Sequence, residues 1–243
     1  MQNAAYCKME CQDCGARHDA VCGVLGSDQL LSFAKLIDQY RYKPQQEILA
    51  QEVSYNFFGT IQKGMVKLTR LLPDGREQVV GLQFPGDVIG RIGDHPMHFS
   101  AVAVTEVDVC AMTEQNVLKA MNDFPAVKDS LLDKIFKALE ASQQWLVVVG
   151  QLHAEERVVA FIQYLCERAG TVSDDDSVSF TLTLTRQEIA EMLGLKLETV
   201  SRHFSKLRKM GLLSFESNSL YRVSDLAALS DRSGEVSGVW SDL

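Results

Sequence analysis

Apolar positions along the chain fall into distinct regimes. Between about Leu30 and Met112 they come in short, β-rich runs such as Phe57-Phe58-Gly59, Val66-Lys67-Leu68-Thr69, Val79-Val80-Gly81 and Val102-Ala103-Val104. The turn signals Pro73-Asp74-Gly75 and Pro85-Gly86-Asp87 fall between them, and many short strands with evenly spaced turns predict a compact β-roll or barrel. After Thr113 the period becomes helical. One run from Pro125 continues without another proline to about Gly150, and Leu132, Ile135, Leu139, Ser142, Leu146 and Val149 stand alternately three and four residues apart in it. That is an a/d seam, which fits a homodimer interface better than the core face of a monomer.

A second helix is predicted over Ala154 to Ala169, with Val158, Ile162 and Leu165 on one face. Thr171 to Val178, with aspartates at 174–176, reads as an exposed acidic loop. Ser179 to Leu184 alternates as a strand does, and the Ser/Gly/Asp-rich tail beyond Ser230 is expected to fray.

The composition, 46% hydrophobic and 23% charged, is that of a globular chain, which sets aside disorder and collagen-like repeats. The longest apolar charge-free stretch, residues 141–154, is too short to span a bilayer. Residues 1–5 lack the basic and apolar regions of a secretory leader, so a cytoplasmic location is expected. The net charge of −8 argues mildly against nucleic acid, but the average misleads. Residues 185–211 carry 6 Lys/Arg against 3 Asp/Glu, a basic window inside an acidic chain.

That window has the pattern of a helix-turn-helix. Thr185-Arg186-Gln187-Glu188 matches a capping box, Gly194 permits a sharp turn, and a second helix over Lys196 to Lys209 is closed by Gly211. Val200, Phe204 and Leu207 point inward, which turns Glu198, Ser201 and Arg202 outward as in a recognition helix. Arg202 can fork onto guanine O6 and N7, Glu198 can accept from a cytosine or adenine amine, and Ser201 can reach a base or phosphate. Lys206, Arg208 and Lys209 are candidates for backbone phosphates of double-stranded DNA. Leu212 to Val223 reads as a hairpin wing. No P-loop, no G-x-G-x-x-G after a strand and no G-x-S-x-G is present, so an enzyme is a poor reading.

A β-roll, a long helix and a winged helix-turn-helix, in that order, resemble the CRP/FNR superfamily of transcription regulators over nearly the whole chain. The most specific pieces are Gly64 with its following strand, Phe84-Pro85-Gly86-Asp87, Ala154-Glu155-Glu156-Arg157 and the run Leu195 to Arg202. The Glu-x-x-Ser-Arg spacing is similar to the FNR branch, whose targets are palindromes of the form TTGAT-N4-ATCAA. The resemblance implies an α+β chain with a cyclic-nucleotide-binding-like β-roll as sensory domain. Its parts would be a cysteine-rich arm at 1–29, the β-roll at 30–113, a dimerisation helix at 114–152, a DNA-binding domain at 153–229 and a flexible tail at 230–243. Pro73 to Arg76 lies where relatives present a surface to RNA polymerase. Some relatives carry an aspartate matching Ser142, whose repulsion across the two-fold axis keeps their cluster-free form monomeric; serine lacks that brake. In the cyclic-nucleotide branch a Gly-Glu-Leu and a later Arg-Ser/Thr-Ala hold ribose and phosphate. Here Gly90-Arg91-Ile92 and Phe99-Ser100-Ala101 stand instead, so no cyclic nucleotide is expected to bind.

Six cysteines remain, four of them within residues 7–22. By spacing alone, a zinc knuckle from Cys7, Cys11, Cys14 and Cys22 ranks first. The resemblance reverses that order. Cys11-x2-Cys14-x7-Cys22 with a distant Cys110 is similar to the pattern of the oxygen-sensing FNR type, in particular its FnrN/FnrL-like subgroup. It implies a [4Fe–4S] cluster on Cys11, Cys14, Cys22 and Cys110 that holds the homodimer competent for DNA without oxygen. By the same analogy oxygen converts the cluster toward [2Fe–2S] and weakens the dimer. Cys7 is then spare, Cys166 is a buried helix residue, and His18 is a turn residue. A zinc-containing or metal-free constitutive regulator, or a small-molecule sensor using the β-roll cavity, are the alternatives.

Overall fold

The structure is a computed structural model that describes residues 5–6, 10–93, 95–217 and 219–232. The chain divides into two compact units, 1–136 and 137–243, and each is described by itself.

Two antiparallel sheets build the first unit. One has β1 (Ala5–Tyr6), β2 (Asp38–Tyr42), β9 (Val107–Met112), β4 (Phe57–Lys63) and β7 (Val88–Arg91), in that order. The other has β3 (Glu47–Leu49), β8 (Ser100–Ala103), β5 (Val66–Leu71) and β6 (Glu77–Gln83). Their facing side chains, among them Tyr42, Leu49, Phe57, Ile61, Val66 and Val109, form one buried cluster. Phe58 and Met112 point to the other face of the first sheet and join a second cluster. It holds Val21 and Leu25 of the arm, Phe33 of α1 (Ser27–Phe33), Val117 and Ala120 of α2 (Glu114–Asp123), and Val127 and Leu131 of α3 (Pro125–Gln151). β4 is therefore buried on both faces from Phe57 to Gln62, which is why its sequence shows an apolar run and no clean alternation.

Residues 10–25 contain no strand or α-helix, only turns and a 3-10 turn at Arg17–Asp19. They are held by burying Ala16, Ala20, Val21 and Leu25 and by a close approach to the Phe84-Pro85-Gly86-Asp87 turn, which the Asp87 carboxylate closes by accepting from the Phe84 amide at 2.8 Å. Gly86 has φ +94, and a Cβ there would lie 2.6 Å from Asp19 Cβ.

In the second unit α4 (Ala154–Ala169) is buried at every position from Val158 to Cys166, wrapped by neighbours on all sides. A four-stranded antiparallel sheet runs in the order β10 (Thr171–Val172), β11 (Val178–Thr181), β13 (Leu220–Val223), β12 (Leu213–Phe215). Between β11 and β12 lie α5 (Arg186–Leu193) and α6 (Leu197–Lys209), and α7 (Leu226–Ser230) follows β13. Tyr221 is the hub of the core, stacked on Phe180 at 5.7 Å and meeting Phe204 and Phe215 edge-on.

The acidic stretch from Thr171, expected to be a loop, is instead a hairpin whose two short strands pair Thr171 with Ser179 and Val172 with Val178. Asp175 fixes its turn by accepting from the Ser177 hydroxyl at 2.6 Å and pairing with Arg222 of β13. The expected wing is present as β12 and β13, and the expected long helix as α3. Residues 233–243 of the expected tail lie outside the described residues. No helix among the described residues is long and apolar enough to cross a membrane.

Gly86→Ala combines an unfavourable φ with a collision against Asp19. It is expected to lower the stability of the first unit by about 1–3 kcal/mol, read as the urea midpoint. An unchanged midpoint would mean the arm is not seated on this turn.

Candidate functional site

β9 carries Cys110 on the face of the first sheet that looks away from the inter-sheet core. Register places Gln39 of β2 opposite Cys110 on one side and Thr60 of β4 on the other. The arm lies over this face, so Cys11, Cys14, Cys22 and Cys110 line one pocket, together with Ala20, Thr60 and Gln62. All four thiols are free and partly buried. Two sulfurs accept hydrogen bonds from amides of the sheet: Gln62 Nε2 donates to Cys14 Sγ at 3.8 Å, and Gln39 Nε2 to Cys110 Sγ at 3.9 Å. Cys7 lies outside the described residues, and Cys166 is buried within α4 of the other unit. The His18 side chain is exposed, 3.3 Å from Asp19.

The thiols feel one another. Burial pushes Cys22 up to about 11, with Cys14 and Cys11 adding to the rise and Arg17 opposing it. Cys110 is pushed well above the ordinary range by burial and then by Cys11, Cys14 and Cys22, against the Gln39 hydrogen bond. Cys11 is raised by burial and Cys14, and Arg17 opposes. Loading a metal group on these sulfurs must therefore displace protons. Among the described residues no three His, Cys, Asp or Glu side chains converge as a single metal ion requires, whereas thiolates around one zinc lie roughly 3.8 Å apart.

In the β-roll, the Ser100 hydroxyl donates to Glu47 Oε1 at 2.9 Å and accepts from the Gln51 amide at 3.0 Å. Arg70 lies over the Phe99 ring at 5.7 Å.

In the second unit Thr185 Oγ1 accepts from the Glu188 amide at 3.1 Å while Glu188 Oε2 accepts from the Thr185 amide at 2.7 Å, the expected capping box. Gly194 sits in the left-handed region at φ +62 and ends α5. α6 buries Val200, Phe204 and Leu207, leaving Glu198 and Arg202 exposed and Ser201 partly so on the other side. Leu132, Ile135, Leu139, Ser142 and Leu146 of α3 are all exposed in the single chain, Leu146 by 72%, and Val149 is partly buried.

Several residues make contacts that the sequence did not assign to them. Arg157 donates to the Leu152 and Leu193 carbonyls, satisfying the end of α5. Arg186 lies over the Phe204 ring at 3.7 Å and donates to the Tyr221 hydroxyl. Lys206, expected to be a phosphate contact, is held by Glu155 of α4 at 2.5 Å, and Glu155 also accepts from Arg232.

Two family descriptions match the chain, a Crp-like helix-turn-helix domain over residues 156–232 and a cyclic nucleotide-binding domain over residues 39–124. A "Probable transcriptional activator" of Rhizobium leguminosarum bv. viciae is 35% identical over 206 residues, covering 85% of each chain. "Transcriptional activator protein FnrL" of Cereibacter sphaeroides is 30% identical over 228 residues, 93% of this chain and 92% of that one. Among solved structures, FixK2 from Bradyrhizobium japonicum superposes with a TM-score of 0.73 at 25% identity, covering 81% of this chain and 96% of the other.

The Lys206 and Arg232 hydrogen bonds hold the Glu155 carboxyl down at about 2, against an ordinary value of 4.5. A depressed carboxyl contributes stability that is complete above its unfolded value and is lost as pH falls through the folded one. Glu155→Gln is expected to cost about 1–2 kcal/mol at pH 7, discounted for partial exposure, with the deficit shrinking below about pH 4.5. Urea titrations of both proteins at pH 7, 5 and 4 measure it.

Proposed function

The chain belongs to the CRP/FNR family of transcription regulators, and from that premise we propose that it is an oxygen-responsive, homodimeric DNA-binding activator carrying a [4Fe–4S] cluster on Cys11, Cys14, Cys22 and Cys110. The observation that carries this reading is the pocket in which three thiols of the arm meet one of a firm strand. Cys110 would be superfluous to a knuckle made from the arm alone, yet it lines the same pocket as the three arm thiols. That donor set suits a polynuclear iron–sulfur group.

When bound, the cluster supplies an oxygen-labile tie between arm and sheet. The chain's own residues carry the consequence. Val21 and Leu25 of the arm share a buried cluster with Val127 and Leu131 of α3, so how firmly the arm is seated bears on the start of that helix. The exposed seam begins at the next residue, Leu132, and its apolar side chains are what a second copy would bury. Two α6 helices of such a dimer would read a palindrome, with Arg202 forked onto a guanine and Glu198 and Ser201 on neighbouring bases. Lys206 would exchange Glu155 for a phosphate. Cyclic nucleotides are not the ligand in this reading, because Arg91 and Phe99 stand where the cyclic-nucleotide pattern has glutamate and arginine. RNA polymerase is the partner of the exposed Asp74 to Arg76 turn.

Anaerobic purification should yield a brown protein that bleaches in air. Cys11→Ser, Cys14→Ser, Cys22→Ser and Cys110→Ser should each abolish bound iron and sulfide, and Cys7→Ser and Cys166→Ser should not. A colourless protein with stoichiometric zinc, or full loading in Cys110→Ser with loss in Cys7→Ser, would overturn the reading.

For DNA, Arg202→Ala should cost about 1–3 kcal/mol on a TTGAT-type half-site and relax preference at its guanine. Titrations against specific and random duplexes decide this, and equal losses on both would reject the assignment.

A further inference from the structure

We propose that Gln62 and Gln39 are positioning residues for the cluster, whose potential and lifetime in oxygen they set by donating amide N–H groups to the sulfurs of Cys14 and Cys110. The proposal rests on the iron–sulfur reading and adds to it the residues that tune the group.

The two glutamines serve both halves of the ligand set, one sulfur on the arm and one on the sheet. Both are buried, at 7% and 5% exposure. Gln39 stands directly across from Cys110 in the β2–β9 register. Gln62 occupies an irregularity of β4: Ile61 pairs with Val109 and Lys63 with Asp108, so Gln62 is the extra residue of a bulge. Bulges re-aim a side chain, and they gather beside functional sites.

What marks Gln62 is where its amide points. Its Oε1 is buried with no hydrogen-bond partner, as are those of Gln83 and Gln163, but of these three only Gln62 aims its N–H at a sulfur. An apolar side chain of the same length would remove that unpaired oxygen, so the fold by itself does not call for an amide here. What the amide does supply is an N–H aimed at a ligand sulfur.

Such donors matter because a cluster thiolate carries negative charge. An N–H dipole pointed at it stabilises the more reduced, more negative state over the oxidised one, and so raises the potential. Dioxygen that takes one electron from the cluster leaves as superoxide, and a higher potential makes that transfer less favourable. Removing either donor should therefore lower the potential and shorten the cluster's life in air.

Gln62→Met and Gln39→Met keep the side-chain length and delete the donor. After anaerobic loading, each should hold wild-type iron and sulfide. Each should lose visible absorbance about three- to tenfold faster in air-equilibrated buffer, with a lower midpoint potential, tenfold in the redox equilibrium being about 59 mV for one electron. Gln83→Met, whose amide donates to the Val88 carbonyl away from the sulfurs, should leave both readings unchanged. The urea midpoint of cluster-free Gln62→Met should equal or exceed that of wild type, because the unpaired oxygen is gone. A midpoint that falls, or a variant that takes up no cluster, would make the residue structural and overturn the proposal. Wild-type potential and lifetime in both loaded variants would do the same while leaving the iron–sulfur reading intact. A wild type that binds no cluster would instead overturn that reading itself.

Discussion

The structure of the first unit depends on seating an irregular arm against a single sheet face. Ordering residues outside regular structure costs roughly 1–2 kcal/mol of backbone entropy each, and the described residues of the arm set against it mostly short-range turn hydrogen bonds, such as Asp13 to Glu10 and Arg17 to Cys14, with Gln62 of the sheet donating to Cys14 Sγ. Its hold on the sheet comes from a few buried side chains, the Gly86 contact and the Gln62 hydrogen bond. A segment so balanced is sensitive to one added or removed tie. Regular elements around it, held by long ladders, are less so.

That sensitivity has a route to the helix. The cluster of Val21, Leu25, Phe33, Val117, Phe124, Val127 and Leu131 is continuous, and close-packed interiors transmit displacement because they have no slack. The boundary between arm-packed and exposed residues on α3 falls between Leu131, buried at 4%, and Leu132. One residue step therefore separates the part of the helix that packs with the arm from the part that offers an apolar surface.

Much of this was legible in the residues, and what was not has physical reasons. α4 emerged as a helix with one apolar face and is buried at every position from Val158 to Cys166, whereas α5 with its capping box and α6 with its inward face emerged because helical period and the Thr185–Glu188 box are local. The same holds for the run from Pro125. The Thr171 hairpin was read as loop because a strand of two residues shows no alternation, and what fixes it is Asp175 pairing with Arg222, 47 positions away. Gln39 and Gln62 were silent for a related reason: strand pairing across long separations, and a bulge, decide which thiol each meets. The four cysteines were visible as residue types; spacing alone favoured a knuckle, the family resemblance named Cys110 as the fourth, and the packing of the arm over β9 makes all four line one pocket.

Charge completes the argument in the DNA-reading unit. The chain is acidic as a whole, and at physiological salt charges beyond about 8 Å are largely screened, so α6 can be locally basic within it. Its last turn holds Lys206, Arg208 and Lys209, which also suit the negative end of the helix dipole. Glu155 neutralises one of these cations in the free protein by accepting from Lys206. In the proposed reading a phosphate would have to displace that carboxylate at every sequence alike, which would lower the backbone term common to specific and random DNA. Arg202 is exposed on the outer face, where a base contact would meet no such competitor. A restrained phosphate contact beside such a base contact would shift the balance of binding from affinity toward discrimination, the quantity that matters against a genome of competing sites.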